Sequence, residues 1–114
     1  MTPQSNSREA KTDRELLEAA AKAAGYEPQG MEDGLLYLFG LQDGWNPLTD
    51  DGDALRLAVK LRIEIEHWRN GVSAAHDDLP PQAIQPFGDD ECAAARIAIV
   101  RAAAAIRRLG EESP

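Results

Sequence analysis

The chain has 114 residues, 43% of them hydrophobic but only 5% aromatic, and a formal net charge of −8. That length supports one small domain with a small, alanine-rich core of modest stability. The acidity is concentrated in residues 25–95, which carry fourteen acidic and four basic side chains; this argues against direct binding to nucleic acid or an anionic membrane, and for a basic protein partner.

A lone cysteine, Cys92, allows no intramolecular disulfide and fits a reducing compartment. No apolar run is long enough to be a transmembrane helix, and "MTPQSNSREAKTDRE" lacks the apolar stretch of a signal peptide. The expectation is a soluble cytoplasmic protein.

Along the chain, residues 1–12 are polar and predicted to be flexible, 13–110 to form one domain, and 111–114 a flexible tail. "TDRELLEAAAKAAG" predicts a helix. Thr12 and Glu15 have capping-box spacing, Leu16, Leu17, Ala20, Ala21 and Ala24 form one apolar stripe, and Gly25 stops the helix. "YEPQGMEDG" reads as an acidic turn region, and "LLYLFG" (35–40) as a short buried strand. "LQDGWNPLT" reads as a loop, from Asp43-Gly44 and Asn46-Pro47.

A second helix is predicted from Asp50 to about Leu61, with Leu55, Ala58 and Val59 on its apolar face and Leu61 near the edge. "RIEIEHW" (62–68) changes to an alternating period, Asn70-Gly71 signals a hairpin, and "VSAA" is the returning strand. The proline-rich segment 76–88 reads as a long loop. A third helix starts at Asp89 or Asp90 and ends at Gly110. Ala95, Ile99, Ala102, Ile106 and Leu109 share a face, with Arg107 and Arg108 in the last turn. The predicted fold is α/β of the α+β kind, in the order α-β-α-β-β-α: a small two- to three-stranded sheet sandwiched by about three helices.

The stretch most suggestive of chemistry is "WNPLTDDGDALRLAVKL" (45–61), where Asp50, Asp51 and Asp53 crowd around Gly52. Counting back five from the glycine gives Pro47 and forward six gives Ala58, so calcium-loop spacing fails at both ends. Acidic residues also satisfy the unpaired amides of a helix start. Asp50 as the cap, with Asp51 and Asp53 in the first turn, is the better reading. Trp45 reads first as packing against that helix start and second as an exposed partner-binding anchor.

His67, His76 and Cys92 have no zinc-ligand spacing and no partner for nucleophilic catalysis. Phosphate-binding and nucleophile-elbow motifs are also missing from the sequence. Arg96, Arg101, Arg107 and Arg108 read as a solvated helix face. The acidic residues around the proline-rich loop, Asp77, Asp78, Asp89, Asp90 and Glu91, read first as a solvated surface and second as the candidate surface for a basic partner.

Two blocks carry a family resemblance. "WNPLTDDGDALRLAVKL" followed by a strand resembles a block of the phage ABA sandwich domain family, small proteins of bacteriophages and prophages. "FGDDECAAARIAIVRAAAAIRRLG" resembles that family's C-terminal helix, and "ELLEAAAKAAG" is similar to its first helix, so the likeness runs from about Arg14 to Gly110. Relatives more often carry an aromatic residue where Cys92-Ala93 stands here. The resemblance implies an α/β/α sandwich and a phage or prophage origin, and it implies no catalytic residues.

The expectation is therefore a non-enzymatic phage accessory protein, without cofactor or metal, that binds a host or phage protein with a basic surface. Its specific form would be inhibition of a host nucleic-acid-handling defence complex such as a CRISPR effector, whose channel is positively charged. The alternative is a module that binds a small molecule such as a nucleotide, in a pocket between the second helix, Trp45 and the 76–88 loop. A metal-assisted enzyme built on Asp50, Asp51 and Asp53 ranks last.

Overall fold

A computed structural model describes residues 12–112. The expectations for residues 1–11 and 113–114 lie outside them. The first helix, α1 (Asp13–Ala23), starts as its sequence requires. The Thr12 hydroxyl accepts the Glu15 amide while the Glu15 carboxylate accepts the Thr12 amide, so two orphan donors are satisfied reciprocally. Leu17, Ala20, Ala21 and Ala24 are buried, and Gly25 follows at a φ of 87°.

The segment read as an acidic turn region is instead a strand. β1 (Pro28–Glu32) pairs antiparallel with β2 (Leu35–Leu38), joined by Asp33-Gly34. Both turn residues have positive φ, 55° and 79°, the geometry that matches the twist of a two-residue hairpin. Leu36 then exchanges two backbone hydrogen bonds with Trp45, each 2.9 Å, so the loop beyond β2 folds back and adds one more rung.

Helix α2 (Asp51–Leu61) follows. Its buried side differs from the predicted one: Ala54, Leu57 and Ala58 face the core, Leu61 is partly buried, and Leu55 and Val59 are each 59% exposed. The helix is apolar on most of its circumference, and the core takes the side on which small alanines let α2 approach its neighbour. Arg62 ends the helix in the left-handed region at φ 61°, and the Ile63 amide donates back to the Ala58 carbonyl.

β3 (Glu64–His67) and β4 (Gly71–Ala75) form the expected hairpin, with Ile65 opposite Ala74 and His67 opposite Val72. Gly71, however, is no turn glycine. A β-carbon there would lie 2.4 Å from the Gln85 carbonyl oxygen, because a third strand passes directly over it. That strand, β5 (Gln85–Pro86), lies in the segment whose prolines predict a loop; it pairs antiparallel with β4. Pro86 is tolerated because the strand lies at the sheet edge.

Helix α3 (Glu91–Glu112) continues through Gly110, so Glu111 and Glu112 belong to it rather than to a tail. Its last turn carries no basic residue, which removes the helix-end role expected of Arg107 and Arg108. α3 packs on α1, α2, β4 and β5, so more than one side of it is buried. Ala94, Ala98, Val100, Ala103 and Ala104 join Ile99 and Ala102 in the core. Ala95 and Ile106 are partly buried against it. The side chain of Leu109 lies outside the described residues.

Among the described residues the architecture is α+β, with three helices and two small antiparallel sheets, β1-β2 and β3-β4-β5. The strands expected in a single sandwiched sheet are divided between the two. Among the described residues, no helix is long and apolar enough to cross a membrane.

Candidate functional site

The three aspartates of the 45–61 stretch diverge. Asp50 caps α2, accepting the Asp53 amide at 2.8 Å. Asp53 accepts the backbone N–H of Asn46 at 2.9 Å on one oxygen and Arg56 at 2.8 Å on the other. The hydrogen bond to Asp53 holds the exposed Arg56 guanidinium above its ordinary pKa. Asp51 turns away to Arg96 on α3. The helix-start reading stands, and among the described residues no three histidine, cysteine or acidic side chains form a metal-holding group.

Arg96 belongs to this junction and not to a solvated face. Its side chain is 15% exposed. It donates to the Leu48 carbonyl at 2.8 Å, pairs with Asp51, and comes within 4.0 Å of Asp90, the cap of α3. One guanidinium thus ties the starts of α2 and α3 together, and its fixed fork of donors suits that task. No local pattern marks it, since its hydrogen-bond partners, Leu48 and Asp51, lie far away in sequence.

Asn46 and Trp45 form the other half of the junction. Asn46 is buried; it donates to the Gly34 carbonyl at 2.7 Å and accepts the Leu48 amide at 2.8 Å. Trp45 is 6% exposed and stands edge-on to Tyr26, ring centroids 5.9 Å apart. Its burial matches the packing reading and not that of an exposed anchor.

The acidic candidates occupy two separate places. Asp77 and Asp78 are exposed in the turn after β4, where the Asp78 amide donates to His76 Nδ1. Asp89, Asp90 and Glu91 are exposed at the start of α3, beyond the strand that pairs with the opposite end of β4. Four residue steps along a strand separate those ends by about 14 Å. The second group lies close to Asp51 through Arg96, so the acidic patch with the most members sits where α2 and α3 begin. Arg101, also on α3, donates to Gln85 and holds β5.

Where one pocket is expected between α2, Trp45 and the 76–88 loop, the described residues form a groove on each of two flanks of α2. One, of about 550 Å³, is lined by Leu55, Ala58, Val59, Ile63 and Ile65, with Arg62, Glu64, His76 and Asp77 as its polar residues. The other, of about 320 Å³, lies by Tyr26, Leu41, Trp45, Asp53 and Arg56. In the second groove Arg56 is committed to Asp53. Cys92 is exposed in the first turn of α3, next to Glu91.

The chain matches no protein-family model, no curated protein and no solved structure.

Proposed function

We propose that this protein acts by binding another protein rather than by catalysis, as an accessory protein of phage or prophage origin working in the cytoplasm of a bacterial host. The observation that carries the reading is the division of charge at the α2–α3 junction. The basic Arg96 is drawn inside as a structural tie, while Asp51, Asp89, Asp90 and Glu91 remain exposed around it. An acidic surface of this kind steers toward a basic partner and repels phosphates. A protein that handles nucleic acid offers such a basic surface, and occupying it would inhibit the complex.

The test is capture of host proteins on immobilised protein at low and high salt. The expected result is a stoichiometric basic partner whose capture weakens as salt rises. Reversing Asp89 and Glu91 to lysine should abolish capture; reversing Asp77 and Asp78 should have the smaller effect. Asp51 and Asp90 are left intact because both support the fold. Undiminished capture by the Asp89→Lys, Glu91→Lys variant would remove the electrostatic basis of the proposal.

A further inference from the structure

We infer that the outer edge of β3 and the groove beside it accept an extended partner strand in which basic and apolar residues alternate. The inference rests on the protein-binding reading and gives it a second site with a defined chemistry.

The order β3-β4-β5 leaves β3 at one edge of its sheet. The opposite edge is blunted, since β5 has two residues and one is Pro86. The phase of the ladder follows from the hairpin end, where the Trp68 amide donates to the Gly71 carbonyl at 2.8 Å. Bonded pairs alternate with non-bonded ones in an antiparallel ladder, so Glu66 with Ser73 and Glu64 with Ala75 are bonded pairs. Ile65 and His67 fall between, and their N–H and C=O groups point off the edge. Such a row is a template for one more strand.

The side chains beside that edge differ on its two faces. Ile65 shares its face with Val72 and Ala74, toward the helices, and there α2 presents Leu55 and Val59 across the groove. Glu64 and Glu66 lie on the other face. An added strand would therefore turn one set of side chains onto Leu55 and Val59 and the alternate set toward two carboxylates.

Those carboxylates decide the occupant. If a second copy paired through β3, the antiparallel registers of greatest overlap that let the outward groups bond centre on Ile65 or on Glu66. The first sets Glu64 against Glu66 of the other copy, and the second sets Glu66 against itself. Like charges directly opposite destabilise a pair. A strand with lysine or arginine opposite Glu64 and Glu66, and apolar residues between, meets both faces favourably.

The probe is an acetylated, amidated octapeptide alternating lysine and valine, titrated into the full chain and followed by Trp68 emission and by amide NMR shifts. The expected result is saturable binding, with shifts concentrated on Ile65 and His67. Methylating alternate backbone nitrogens of the peptide, Val59→Glu, or Glu64→Lys should each weaken it at least tenfold, and a glutamate–valine peptide should not bind. Absence of binding at about 1 mM, equal affinity for the methylated peptide, or a β3-linked dimer that excludes the peptide would overturn the inference. The two proposals fail separately: capture of a host partner without peptide binding refutes only the strand site, and peptide binding without a host partner refutes only the cellular role.

Discussion

Replacing Asn46 by alanine tests whether the 45–61 stretch is chiefly a structural junction. The side chain makes two hydrogen bonds, at 2.7 Å to the Gly34 carbonyl and 2.8 Å from the Leu48 amide. Each contributes about 1 kcal/mol net, and a donor left without a partner in a buried site adds about 1 kcal/mol or more. Gly34 lies in an exposed turn, where water can replace the lost donor, whereas Leu48 is half-buried. The expected loss is therefore about 2–3 kcal/mol, a fall in Tm on the order of 10 °C for a domain of this size. Urea unfolding followed by tryptophan emission would measure it, with an unchanged m-value showing that the same surface is exposed. Asn46→Asp keeps the acceptor for Leu48 but sets a carboxylate against the Gly34 carbonyl, and should be at least as destabilised. Asn70→Ala, in the exposed tip of the β3–β4 hairpin, is the control, expected to fall within about 0.5 kcal/mol of wild type. An Asn46→Ala loss no larger than that control would refute the junction argument.

Three further substitutions probe separate devices by the same unfolding assay. Asp50→Ala removes the α2 cap and should cost about 1 kcal/mol; a neutral result would mean that Asp51 or Asp53 takes over the cap. Gly71→Ala drives a methyl group into the backbone of β5 and should cost about 1–3 kcal/mol, with amide exchange rising at Gln85 and its neighbours. Arg62→Gly relieves a left-handed residue at a helix end and should stabilise the fold by about 0.5–1 kcal/mol; destabilisation would show that the Arg62 side chain contributes more than its backbone costs.

The features legible in the sequence were those encoded within a few residues. Thr12 with Glu15, Asp50 and Asp90 mark all three helix starts, because a cap is satisfied three positions away. The alternation of Ile63 and Ile65 marked β3. β1 was hidden because Pro28, Gly30 and Glu32 are poor strand formers, although Asp33-Gly34 is a hairpin dipeptide flanked by Met31 and Leu35. The sequence does not mark which side of α2 is exposed, because Leu55 and Val59 are as apolar as the residues that are buried; the choice is made by packing against α3, not by α2. The site is less legible still. Arg96 reaches a carbonyl 48 residues back, and two acidic groups that are near in sequence are parted by the length of β4. Trp45, the aromatic that drew attention, is consumed by the fold, while Leu55 and Val59 at the groove carry no motif.

The placement of α3 also bears on how the chain is made. It is the helix against which α1, α2, β4 and β5 all pack, yet it leaves the ribosome after every one of them. Until it arrives, the faces of α1, α2 and β4 that pack on it have no covering layer, and Arg96 cannot join the two helix starts. The nascent chain therefore holds its hairpins and first helices as an open, unfinished surface, and cooperative structure must await the end of translation of the helix. Chaperone contact would be concentrated in that interval, and a break in synthesis before residue 91 would release a chain without a closed core.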